Sequence, residues 1–232
     1  MKHYLETVSA VLDRMDSSEK GLSAQEAQER LAQGGKNKLA EAEKATLLQR
    51  FIEQLKDPML IILMAAALVS GITSLIAGES FTDVIIILVV VLLNAVLGVY
   101  QENKADKAIE ALQTMSAAVS NVLRDGSIQQ VLSEDLVVGD VVLLEAGTAV
   151  PADCRIIENA SLQVEEAALT GESVPVYKQT DALEAEGSDV PLGDRKNMCY
   201  MGSTVVYGRG RAVVVATGMD TEMGKIAAAI TK

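Results

Sequence analysis

Met59–Ala77 reads MLIILMAAALVSGITSLIA and Val84–Tyr100 reads VIIILVVVLLNAVLGVY. The first is 19 residues without a charge; the second is 17, with Asn94 its most polar member. As helices they reach about 28 Å and about 25 Å, close to the hydrocarbon thickness of a bilayer. A chain of 232 residues is too small to wrap two such helices in protein on all sides. The pair is therefore expected to span a membrane as a hairpin. Its connection, Gly78–Asp83 (GESFTD), carries two acids and no Lys or Arg, whereas Arg50, Lys56, Lys104 and Lys107 lie on the outer flanks. Positive residues stay cytoplasmic, so both termini are expected inside and the short loop outside. Too much polar sequence precedes the first span for it to be a cleaved signal peptide. Asp57-Pro58 reads as an N-cap followed by Pro at the first helical position.

Outward from the hairpin, residues 1–56 form a helical cytosolic segment. Leu5, Val8, Val11, Leu12 and Met15 follow helical spacing. Ser23–Glu26 (SAQE) is a capping box opening a short helix that ends at Gly34-Gly35. Leu47, Leu48, Phe51, Ile52 and Leu55 make an apolar stripe entering the membrane. These short helices are expected to pack on a neighbouring domain. Beyond the second span, Gln101–Ala117 keeps apolar residues on one side and charges on the other, so the helix is expected to continue as a cytosolic stalk. The hairpin and stalk occupy 57–117.

From 118 to 220 the texture becomes all-β. Val119–Leu123, the Asp125-Gly126 turn and Ile128–Leu132 predict a hairpin. Val137–Leu144 and Arg211–Thr217 are further strand-like runs. Asp181–Lys196, acidic with Gly and Pro, is expected as a solvated insertion without a metal site.

Composition removes whole classes of function. Lys plus Arg number 20 against 32 Asp plus Glu, a net charge of −12, and aromatics are 3% with no Trp. An acidic chain without a basic cluster is a poor ligand for phosphate backbones, so no nucleic acid is expected as a partner. Cys154 and Cys199 lack metal-site spacing and imply neither a disulfide scaffold nor zinc. His3 is the only histidine. It stands at an end expected to be mobile, which excludes histidine-based catalysis.

Within the β-region, Leu169–Val176 reads LTGESVPV. This resembles the signature loop of the actuator domain in P-type ATPases, pumps that pass through an aspartyl-phosphate intermediate. Gly139-Asp140-Val141-Val142 and Gly147–Asp153 are similar to the family's upstream actuator segments. Asn94–Gly98 with Gln101-Glu102 is similar to the cation-pump subgroup, and Asn197-Met198 with Gly202–Thr204 to the downstream segment. Thr221–Ile226 resembles the lead into a third membrane helix. The resemblance covers essentially the whole chain and points to the calcium-pump branch. It implies a distorted jelly-roll-like actuator fold at 118–220, with 221–232 as the start of a linker.

The resemblance also implies the chemistry. Hydrolysis of an acyl phosphate needs a water in line with phosphorus and a carboxylate to take its proton. By resemblance Glu172 is that carboxylate. Gly171 permits a tight turn near the phosphate, and Thr170 and Ser173 offer hydroxyls to water, phosphate or the loop. The family's phosphorylated aspartate lies in DKTGT, a string this sequence does not contain. A nucleotide domain and the later ion-binding helices are not seen either. The chain itself is thus expected to hold no cofactor and no metal, ATP and Mg2+ belonging to the full-length pump. Its expected partners are the bilayer, the remaining pump domains and the transported cation, Ca2+ by resemblance. The leading expectation is the N-terminal fragment of a multi-pass cation pump, inactive alone. The alternative is a naturally short, non-catalytic membrane-anchored interaction module.

Overall fold

A computed structural model of the chain describes residues 2–40, 45–115, 118–184 and 189–230. The helices before the sheet are α1 (Val8–Arg14), α2 (Ala24–Gly34), α3 (Leu47–Gln54), α4 (Pro58–Ala77) and α5 (Thr82–Met115). The rest of the chain forms β1 (Val119–Arg124), β2 (Ser127–Leu132), β3 (Val141–Glu145), β4 (Asp153–Glu165), α6 (Ala167–Thr170), β5 (Val176–Tyr177), β6 (Met198–Cys199), β7 (Thr204–Ala216) and α7 (Glu222–Ile230). Two compact units result: one from 42–116, the other from 1–41 together with 117–232.

The 42–116 unit holds both apolar helices. Asp57 caps α4, its Oδ1 accepting from the Met59 and Leu60 amides at 2.8 and 3.4 Å, and Pro58 takes the first helical position. Gly78 ends α4 in the left-handed conformation, φ +68°. The second apolar run is part of one continuous helix of 34 residues, about 51 Å long, so span and stalk are a single rod as far as Met115. Residues 116 and 117 of the expected stalk lie outside the described residues. Leu60, Val91 and Ala95 are buried between the helices, with Phe51, Leu55 and Met64 around them. Most of the remaining apolar surface faces outward, Ile62, Leu75 and Ile76 among it. A helix pair apolar all round and largely uncovered is stable in lipid, not in water. α3 docks on the stalk through Arg50, paired with Asp106 at 2.6 Å and Glu102 at 3.7 Å.

The other unit is built on an antiparallel sheet of order β2-β1-β3-β7-β4-β5, with β6 also paired to β4. β1 and β2 are joined by Asp125 and Gly126, at φ +52° and +71°. Positive φ at both central residues is what an Asp-Gly hairpin turn provides. β7 shows the period-2 logic of a sheet covered on both faces. Ala212 and Val214 enter the main core with Val142, Leu144, Ile156 and Leu162. Val213 points the other way, into Val11, Leu12 and Met15 of the N-terminal segment. Helix α1 and Met15 thus cover part of the second face of the sheet.

Three expectations change in detail. The run at 137–144 is a strand only from Val141. Val137–Asp140 turns instead, because Asp140 accepts from the Val137 amide at 3.0 Å and from Arg124 at 2.8 and 2.6 Å. The insertion at 181–196 is not simply solvated. Leu183, Val190 and Leu192 pack against Tyr4, Met198 and Tyr200, and Arg195 lies 4.4 Å over the Tyr4 ring; residues 185–188 lie outside the described residues. His3 is not at a loose end. It is 9% exposed and its carbonyl accepts from the Arg155 Nε at 3.2 Å.

The long β4–β7 pairing bends at bulges around Glu158 and Ala160–Gln163. Ser161 (φ +56°) and Gly208 (φ +75°) face each other there, and a Cβ on Gly208 runs into the Ser161 carbonyl. Gly208→Ala is therefore both strained and obstructed, and is expected to cost about 2–3 kcal/mol. Urea titration of the full chain, read by exposure of the buried Cys154 and Cys199 thiols, measures it. An unchanged midpoint contradicts the geometry.

Candidate functional site

The Thr170–Ser173 segment leaves the sheet between β4 and β5. At its start, Glu166 sits at φ −118°, ψ 21°, and its carbonyl collects three donors. These are the Leu169 amide at 2.9 Å, the Thr170 amide at 3.0 Å and the Thr170 Oγ1 at 3.1 Å. They wind Ala167–Thr170 into a single turn. Gly171 closes it at φ +76°, its amide donating to the Ala167 carbonyl at 2.9 Å. Nothing lies within 4 Å of a Cβ built there, so this turn demands glycine for its backbone angle and not for space. The Thr170 Oγ1 then accepts from the Glu172 amide at 3.3 Å.

Past the turn the chain is open. Glu172 and Ser173 are exposed, as is Val174 at 74%. Neither the Glu172 carboxylate nor the Ser173 hydroxyl has a hydrogen-bond partner among the described residues. The four expected site residues therefore divide in two. Thr170 and Gly171 shape the turn, while Glu172 and Ser173 are presented to whatever approaches it. Among the described residues the exposed Glu172 carboxylate has no nucleophile or acid beside it. A carboxylate in this setting is chemically able to accept a proton from water.

Beneath the turn lies a pair the sequence reading missed. Lys178 Nζ meets Glu166 Oε1 at 2.6 Å, with side chains 0% and 1% exposed. Burial pushes the Glu166 carboxyl above its usual range, opposed by the Lys178 charge. The available signal was weak. Glu166 directly precedes the apolar Ala167–Leu169, and Lys178 is spaced two residues from Val176.

Buried polar residues away from the turn tie the scaffold together. Asp153 is buried and accepts from the Met201 amide at 2.9 Å and the Glu222 amide at 2.8 Å, anchoring the first residue of α7. Burial raises its carboxyl. Arg155 is fully buried and donates to five carbonyls, those of His3, Glu6, Ile156, Thr180 and Asn197. Desolvation lowers its guanidinium to about 10, still a cation at neutral pH. Cys154 and Cys199 are both buried and free, and burial raises both thiols, Cys199 to about 12. Thiols held protonated in this way are poor nucleophiles.

Known proteins are similar to this chain in sequence. Residues 114–231 match the P-type ATPase actuator domain, and residues 3–70 match the cation transporter/ATPase N-terminus. The chain is 47% identical over 227 residues to calcium-transporting ATPase 1 of Bacillus cereus, covering 97% of this chain and 25% of that protein. It is 44% identical over 227 residues to a calcium-transporting ATPase of Listeria monocytogenes, covering 98% and 25%. It is 43% identical over 207 residues to the probable cation-transporting ATPase F of Mycobacterium tuberculosis, covering 89% and 22%. The chain thus spans about a quarter of the length of the curated relatives it matches.

Proposed function

Because this chain belongs to the P-type ATPases, we propose that it is the N-terminal portion of an ATP-driven calcium pump, in which its sheet unit hydrolyses the aspartyl phosphate formed elsewhere in the protein. The observation that carries this reading is Glu172, an exposed carboxylate without a partner among the described residues, set on a turn wound by three hydrogen bonds to the Glu166 carbonyl. In the reaction, Glu172 takes a proton from water as the water oxygen bonds to phosphorus. The bond from phosphorus to the aspartyl oxygen breaks, releasing phosphate and the aspartate carboxylate. Thr170 fixes the Glu172 backbone, and Ser173 supplies a hydroxyl beside it. ATP and Mg2+ serve the intact pump by supplying the phosphoryl group and neutralising its charge. No residue of this chain is assigned to them.

Membrane coupling follows from continuity of the chain. The stalk is one helix with the second span, so a force applied at its cytosolic end is transmitted along the rod into the bilayer. The basic flanks Arg50, Lys56, Lys104 and Lys107 support a cytosolic location for both termini and for the sheet unit. Calcium as the cargo is supported by the names of the relatives. Inside-out vesicles carrying the intact pump are expected to accumulate radioactive calcium when given ATP, and to lose it on addition of a calcium ionophore. Uptake no greater than in vesicles without the pump contradicts the cargo.

A further inference from the structure

A turn that must deliver one carboxylate to a phosphorus atom has to be stiff at its base. Its sheet anchorage is slight. β5 pairs with β4 through only Gln163↔Tyr177 and Val164↔Val176. The charged pair beneath it is costly in isolation. Both charges are withdrawn from water, and Glu166 Oε2 is buried with no partner among the described residues. Apolar side chains of similar volume are commonly as stabilising as a buried ion pair, or more so. Net stability is therefore a weak reason for this pair to exist, and its placement offers a better one.

Glu166 is the residue directly after β4 and Lys178 the residue directly after β5. The Lys178 backbone is held as well, its amide donating to the Leu162 carbonyl at 2.9 Å and its carbonyl accepting from the Asn159 Nδ2 at 2.5 Å. From the pair a chain of contacts runs to the exposed carboxylate residue. Lys178 Nζ holds Glu166 at 2.6 Å, the Glu166 carbonyl holds Thr170 Oγ1 at 3.1 Å, and Thr170 Oγ1 holds the Glu172 amide at 3.3 Å. We propose that Glu166 and Lys178 are positioning residues for Glu172, locking the two ends of its loop together so that the carboxylate is presented in one place. This inference rests on Glu172 being the base that activates water.

The test is the intact pump carrying Glu166→Met together with Lys178→Met, which removes both charges at once and leaves neither unpaired in the interior. Phosphoenzyme formation from ATP is expected to be unchanged and its hydrolysis slowed about 10- to 100-fold, the cost of misplacing a reacting group by about an ångström. Lys178→Arg keeps the ion pair and is expected to hydrolyse near the wild-type rate. Amide exchange on the full chain supplies a second readout. In the double variant the Leu169, Thr170 and Gly171 amides lose protection while those of β4 and β7 keep theirs. If the double variant does not fold, Glu166→Gln, which keeps the side-chain shape, carries the same comparison. Wild-type hydrolysis, or slowed hydrolysis with unchanged exchange in the loop, overturns the positioning role. If Glu172→Gln also hydrolyses normally, it is the base assignment that fails. If Glu172→Gln is slow and the double variant is not, only the lock fails.

Discussion

Glu172→Gln in the intact pump is expected to leave phosphorylation by ATP intact and to slow hydrolysis of the phosphoenzyme by about 10²- to 10⁴-fold, the usual contribution of a general base. The substitution keeps size and shape and removes the ability to take a proton. Because Glu172 is exposed and its side chain touches no partner among the described residues, the fold has no stake in its charge. A loss of hydrolysis is therefore chemical and not structural. The measurement is a chase: phosphorylate with radiolabelled ATP, add excess unlabelled ATP, and quench in acid at intervals. Decay at the wild-type rate sinks the assignment of Glu172.

Arg155→Met is expected to have the largest effect on stability. The guanidinium is fully buried and draws carbonyls from four separate stretches of chain into one point: His3 and Glu6, Ile156, Thr180, and Asn197. Methionine fills much of the volume but donates nothing. Each buried carbonyl left without a donor costs about 1–3 kcal/mol, so a total of at least about 3 kcal/mol is expected. With a urea dependence of about 1–3 kcal/mol per molar, the midpoint falls by about 1 M or more. The buried Cys154 and Cys199 thiols report the transition, since they react only when the sheet opens. A shift below about 0.2 M would show that the carbonyls find other donors.

The helical half of the chain was legible because its signals are local. Unbroken apolar runs, the Asp57-Pro58 start and Gly78 stop mark the hairpin, and the alternation of Gln101–Met115 continues the second helix beyond the bilayer. The Asp125-Gly126 turn is equally local, a dipeptide that supplies two positive φ values. β4 was missed for a physical reason. Its bulges at Glu158 and Ala160–Gln163 break the period-2 alternation on which strand reading depends. The β7 strand was read only in its second half, because Tyr207, Gly208 and Gly210 interrupt the apolar pattern where the strand bends against those bulges. The packing of Leu183, Val190 and Leu192 was hidden because their partner, Tyr4, is nearly two hundred positions away.

At the site, the motif Thr170–Ser173 was visible as a string and its support was not. Glu166 and Lys178 look like two surface charges, since charged residues are almost never fully buried unless paired, and pairing is a fact of three dimensions. Asp140 and Asp153 likewise stood out as parts of similar segments, but not for what they do, and Arg155 lies outside every one of those segments. Asp140 turns the chain toward β3, Asp153 holds the first residue of α7, and Arg155 gathers the N-terminal segment onto the sheet. Much of the motif pattern around the site is thus scaffold, and Glu172 and Ser173 are the polar side chains it leaves exposed.

The proposed chemistry requires this chain to be one part of a larger pump. An immunoblot of native membranes with an antibody against the sheet unit measures that directly. The relatives are about four times the length of this chain, so the predicted band lies at about four times 24.6 kDa, in the fraction that resists alkaline extraction. A band at 24.6 kDa, with none larger, contradicts the account.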